Sequence, residues 1–268
     1  MGRNGVHLVR EWPDETQVRA WLCTPRDDLV GEEPDLDDSD TVASFSQRHG
    51  PFRDYRRTVS ARDGRLHERT DYRLVIPWFH WLFGPLVKRS LSRRAPDSRG
   101  GQPGWAPPDR LDRRQVRILG LLAAASLLTA FVNTLFTQTV SFAGDDFGVG
   151  DWGRGVAGTI VRVGVLFGLP AALLADRIGR RRVVVTLAWA APIIASLGAL
   201  APNFPVLVAT QALGRPLGLA LDLLIAVIAA EEMPRGSRAY AISVLAMANG
   251  LGAGVAVVAL PLADVGQS

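Results

Sequence analysis

Ala172-Leu-Leu-Ala-Asp176-Arg177-Ile178-Gly179-Arg180-Arg181-Arg182 joins two apolar runs, residues 155–175 and 183–201. The first run carries Arg162 as its one charged residue, and the second carries none. A helix rises about 1.5 Å per residue, so about 20 apolar residues cross a hydrocarbon layer of about 30 Å. Both runs meet that length. Arginine concentrated in a short connection between two such runs marks the side where membrane proteins keep their positive loops. Gly179 permits a tight turn there. Asp176 places a carboxylate at the helix end, which a plain positive anchor does not need.

Working outward from this loop, three further apolar runs stand at 118–138, 205–230 and 239–262, making five expected membrane helices. Their glycine and alanine content suits close helix packing. The loops alternate in charge. Residues 88–117 hold nine Lys or Arg against three Asp, whereas the first loop carries Asp145, Asp146 and Asp151 with no basic residue before Arg154. The loop APNFP (201–205) is uncharged, and the next carries Arg235 and Arg238. The expected order is in, out, in, out, in, which puts the N-terminus in the cytoplasm and Leu262–Ser268 outside.

Residues 1–117 are rich in charge, and the start, MGRNGVHLVREWPDE, has no apolar signal core. The segment is therefore expected to remain cytoplasmic, as a small α+β domain over 1–94 and a basic Pro/Gly-rich linker over 95–117. The acidic run Asp27–Asp40 reads as a solvated loop. Asp63-Gly64 marks a hairpin, because these residues accept positive φ in a two-residue turn. After it, Leu66, Thr70, Tyr72, Leu74 and Ile76 fall on one strand face and Arg69, Asp71 and Arg73 on the other. Pro77 ends that strand. The aromatic stretch Trp78, Phe79, Trp81, Leu82, Phe83, Leu86, Val87 fits either a helix closing the domain core or one lying at the membrane interface.

Composition excludes several classes. Cys23 is the single cysteine, and His7, His49, His67 and His80 lack ligand spacing, so neither a metal nor another cofactor is expected. The formal net charge of +4 is explained by loops beside membrane helices, so no nucleic-acid partner is expected. The near-exclusive use of arginine as the basic residue fits a GC-rich bacterial genome. No phosphate-cradling glycine loop, Gly-x-Ser-x-Gly or paired histidine motif occurs, which disfavours an enzyme or an ATP-driven pump.

The loop Ala172–Arg181 resembles the signature between helices 2 and 3 of the major facilitator superfamily, Gly-x-x-x-Asp-Arg/Lys-x-Gly-Arg-Arg/Lys. Five of six specified positions match, with Ala172 where the first glycine belongs. Glu231-Glu-Met-Pro234-Arg-Gly-Ser-Arg238 resembles the Glu-x-x-Pro-x-x-x-Arg pattern that follows helix 4 in sugar-porter-like members. The resemblance implies a gradient-driven transporter for a small solute in a bacterial inner membrane. It also implies a gate: Asp176 pairs with the other half of the transporter, and the loop arginines tie to acidic groups at the end of helix 4, here Glu231 and Glu232. Asp176, Arg177, Gly179, Arg180, Arg181, Glu231, Glu232 and Arg238 form that expected gating set.

Ionisable groups inside a membrane are costly and mark functional sites by default. Arg162, Arg215 and Asp222 are therefore candidate cavity or coupling residues. Arg215 and Asp222, seven apart, share a helix face and are expected either to pair or to line the cavity. Asn133, Thr134, Gln138 and Asn249 are further candidates, or hydrogen-bonding glue between helices. The stretch Tyr55–Leu91 resembles, more faintly, the strand pair and long C-terminal helix of polyketide-cyclase/START-like ligand-binding domains. The expected architecture is thus a multi-pass α-helical bundle of the facilitator type, five helices and incomplete, behind that small domain. Facilitators have six helices per half, so the chain is expected to be a fragment lacking its second half. The rival expectation is a membrane-tethered module for a lipid or small ligand, its helices serving only as anchors.

Overall fold

A computed structural model describes residues 5–35, 41–76, 79–94, 101–164, 166, 168–198 and 200–264. The chain divides into two compact units, residues 1–120 with 233–237, and residues 121–232 with 238–268.

The first unit is built on a five-stranded antiparallel sheet. Its strands are β1 (Val6–Pro13), β2 (Gly31–Pro34), β3 (Ala43–His49), β4 (Phe52–Arg62) and β5 (Arg65–Leu74), in the spatial order β1-β5-β4-β3-β2. Helix α1 (Thr16–Leu22) follows β1, and α2 (His80–Ser92) follows β5. The β4–β5 turn is Asp63-Gly64, with φ of 52° and 70°. Two positive-φ residues give a turn whose twist matches the flanking strands. Leu66, Thr70 and Tyr72 are buried and Arg69 is exposed, as the alternation predicts. Glu68 is buried on the same face, which the pattern did not single out.

One core cluster gathers Val30, Phe52, Tyr55, Tyr72, Val87 and Leu91, with Phe52 stacked on Tyr55 at 5.2 Å between centroids. A second gathers Val18, Leu22, Val59 and Leu66. Helix α2 contributes Val87 and Leu91 to the core while Trp81, Leu82 and Leu86 stay exposed. Pro77 and Trp78 lie outside the described residues.

Two expectations for this unit need correction. The acidic run is not simply a solvated loop, because Glu32 lies in β2 with its side chain fully buried against Arg57. Residues 36–40 lie outside the described residues. The linker is also not free over its described part. Trp105 packs on the first core cluster, Leu111 is buried, Arg110 pairs with Asp27, and His49 Nδ1 lies 2.9 Å from Asp112. Apolar side chains at two linker positions, with ionic partners beside them, outweigh the flexibility that its Pro and Gly content implies.

The second unit is helical: α3 (Arg113–Asp146, which begins in the first unit), α4 (Asp151–Gly164), α5 (Gly168–Ile178), α6 (Arg180–Gly198), α7 (Phe204–Glu232) and α8 (Arg238–Asp264). Among the described residues four segments, Arg113–Leu135, Arg180–Gly198, Phe204–Glu232 and Arg235–Ala259, are long and apolar enough to cross a membrane. The chain is on that ground a multi-pass membrane protein. The expected single helix over 155–175 is instead two helices, α4 and α5. Residues 165 and 167 lie outside the described residues, and Pro170 sits in the first turn of α5, where its missing N–H breaks no helical bond.

Helix α7 is the hub, packing against α4, α5, α6 and α8. Ala157 and Val161 of α4 meet Phe204, Leu207 and Val208 of α7. Glycines bring backbones close elsewhere. A Cβ on Gly214 would stand 3.3 Å from Ile194, and one on Gly252 would collide with the Leu127 carbonyl oxygen. Without a hydrophobic driving force between helices in lipid, such close contact supplies the packing attraction.

Candidate functional site

Helices α5 and α6 are separated by the single residue Gly179, whose φ is 100°. Its N–H still donates to Ala175 O at 3.1 Å, and its carbonyl accepts from Arg182 N–H at 3.1 Å and Val183 N–H at 3.3 Å. One residue thus finishes one helix and opens the next, which requires a backbone conformation that an L side chain rarely adopts. Nothing lies within 4 Å of the position a Cβ would take there, so the demand for glycine is conformational, not steric.

The turn sets the charges around it. Asp176 lies in the last turn of α5, and Arg180 is the first residue of α6. Arg180 donates from Nε and Nη2 to Asp176 Oδ1, both at 3.1 Å, and its Nη1 pairs with Glu231 near the C-terminal end of α7. One guanidinium therefore ties three helices at one end of the bundle. Its fork geometry allows this, since separate N–H groups can serve separate carboxylates. Asp176 and Glu231 remain more than half exposed, so water screens the cluster and it contributes little to folding stability. An ion pair that stabilises little can open at little cost.

Arg177 and Arg181 are exposed beside this cluster, Glu232 closes α7 and Arg238 opens α8. Of the residues named in the sequence, the structure brings Arg180 and Glu231 into contact.

The residues expected inside the membrane are more dispersed. Arg215 Nη2 donates to Thr137 Oγ1 of α3 at 3.1 Å. Asp222 Oδ1 is buried without a hydrogen-bond partner among the described residues. The two are not paired with each other. Seven residues of helix advance about 10 Å, which separates the groups along one face instead of joining them. Asn133 lies against Gly218, with its Oδ1 3.1 Å from where a Cβ would stand, so α3 and α7 approach closely at this polar side chain. Asn249 is partly buried on α8. The side chains of Arg162 and Gln138 lie outside the described residues. Gln211, buried in α7, was not singled out by sequence reasoning, although an amide in an apolar run is itself a signal.

Compared with family models, with curated proteins and with solved structures, the chain gives no match in any of the three.

Proposed function

We propose that this chain belongs to a facilitator-type secondary transporter, which moves a small solute down or against a gradient by alternating access. The observation that carries the reading is Arg180 bridging Asp176 and Glu231 across α5, α6 and α7. Such a cluster fixes one end of the bundle in one arrangement, and its exposed carboxylates let it release in another. Asp222, with an unpartnered oxygen, and Arg215 on the same helix are the proposed cavity residues. The arginine-bearing loops face the cytoplasm of a bacterial cell in this reading, with the N-terminal unit on the same side. The N-terminal unit is the proposed START-like part, and the pairing of its first strand with its last, followed by a helix packed on the core, supports that.

The test is Asp176→Asn placed at the chromosomal locus. Membrane insertion should be unchanged, because one aspartate contributes little to topology. Solute uptake or efflux, profiled against the deletion strain, should fall several-fold. Transport at the parental rate would remove the gate from the proposal.

A further inference from the structure

Within the N-terminal unit, the guanidinium groups of Arg10, Arg26, Arg57 and Arg94 gather at the C-terminal ends of α1 and α2. Arg57 donates to Leu22 O at 2.9 Å and Thr24 O at 3.1 Å. Arg26 reaches Leu91 O at 3.4 Å, Arg94 donates to Thr24 O at 3.3 Å, and Arg10 donates to Arg94 O at 2.8 Å. Helix C-terminal carbonyls carry partial negative charge, which favours cations there.

Most of the carboxylate oxygens nearby are already committed. Glu32 accepts from Arg57 at 2.6 and 2.8 Å, from the Tyr55 hydroxyl at 2.5 Å and from the Arg26 N–H at 2.7 Å. Asp28 accepts from Arg26 at 2.8 Å, and Glu68 Oε2 accepts from the Trp12 indole at 3.2 Å. The remaining oxygen, Glu68 Oε1, stands 3.6 Å from Arg57 and accepts no hydrogen bond among the described residues. Among the described residues, four guanidinium groups therefore face three carboxylates. Three buried donors have no partner among the described residues: Arg10 Nη1, Arg26 Nε and Arg94 Nη1. The Arg26 side chain is 2% exposed. Burial, and then the charges of Arg57 and Arg26, lower Arg94 to about 10.

Two tryptophans frame these donors. Arg10 stacks on Trp12 at 4.2 Å and Arg94 on Trp21 at 4.6 Å, while the two rings meet edge-on at 5.3 Å. A buried donor without a partner keeps the cost of its lost hydration. A neutral acceptor would satisfy the donors but leave the surplus charge. An oxyanion answers both.

The geometry points to an oxyanion-binding site in which Arg10, Arg26 and Arg94 hold a phosphate or carboxylate group beside Trp12 and Trp21. The site lies in the N-terminal unit and does not depend on the transporter reading.

Isothermal titration of the full chain in detergent tests it, with inorganic phosphate, benzoate and benzyl alcohol as probes. Saturable binding of phosphate or benzoate is expected, weakened about tenfold or more in Arg94→Gln and Arg10→Gln, since each loses a charge-assisted hydrogen bond. Benzoate binding more tightly than phosphate identifies an organic anion as the ligand class, and the reverse order identifies phosphate. No saturation by about 10 mM of either anion, unchanged affinity in both variants, or benzyl alcohol binding as tightly as benzoate would overturn the site. Unsubstituted protein gives an independent reading if a variant misfolds. Its melting temperature should rise with phosphate or benzoate but not with chloride at matched ionic strength, and an equal response to chloride overturns the proposal.

Discussion

Arg180 and Glu231 lie 51 positions apart in the chain, yet their side chains touch where α6 begins and α7 ends. The contact can be trapped. With Cys23, which is exposed, replaced by serine, Arg180→Cys and Glu231→Cys should be joined by a short bismaleimide. After cleavage within residues 200–203, the two fragments should stay together on a denaturing gel. Fragments that separate as readily as those of either single-cysteine control would contradict the contact.

Gly179 supplies the φ of 100° that lets one residue end α5 and start α6. Gly179→Ala is expected to cost about 1–2 kcal/mol through backbone strain alone. Gly179→Asn should cost less, because asparagine tolerates left-handed backbone better. Thermal unfolding in detergent orders the three proteins, and equal stability of all three would rule out the strain.

Arg57 is fully buried among Glu32, Glu68 and two backbone carbonyls. Arg57→Met leaves carboxylates buried without their partner and should destabilise the N-terminal unit by about 3–5 kcal/mol. Arg57→Met with Glu32→Gln should recover part of that loss, since one stranded charge is removed. Denaturant titration followed by tryptophan fluorescence measures both. A double variant no more stable than the single would mean that packing, not charge, dominates there.

Gly252 and Gly250 lie two residues apart on α8 but in different surroundings. A Cβ at 252 would collide with the Leu127 carbonyl of α3, and one at 250 meets nothing within 4 Å. Gly252→Ala should therefore lower stability by about 1–3 kcal/mol through forced separation of the helices. Gly250→Ala should be neutral or gain up to about 1 kcal/mol from helix propensity. Melting of the two variants side by side decides it, and equal effects would refute the close approach.

Features fixed by local chemistry were legible in the sequence. Asp63-Gly64 announced its hairpin because a two-residue turn needs positive φ, and Gly179 announced a tight link for the same reason. The apolar runs announced α3, α6, α7 and α8 by length alone. What escaped was set by distant partners. Glu32 sits in an acidic run and looks solvated until Arg57, 25 residues away, is folded against it. Trp105 sits among Pro and Gly and looks unattached until a core exists to receive it. The division between α4 and α5 escaped for another reason: the glycines and proline were visible, but membrane helices often absorb such residues. Arg180 with Glu231 was anticipated only through a family resemblance, since no local pattern reports contacts between helix ends.

The sheet order has a consequence for synthesis. Strand β1 is made first, but its hydrogen-bonding partner is β5, with Val6 opposite Tyr72 and Pro13 opposite Arg65. At about 5–20 residues per second, the ribosome leaves β1 without that partner for several seconds. The first core cluster receives Trp105 only shortly before α3 begins at Arg113. Completion of that cluster and emergence of the first apolar helix therefore fall almost together in time. A chain delayed at either step exposes an open strand edge and an apolar helix at once, the condition in which nascent proteins most need a chaperone.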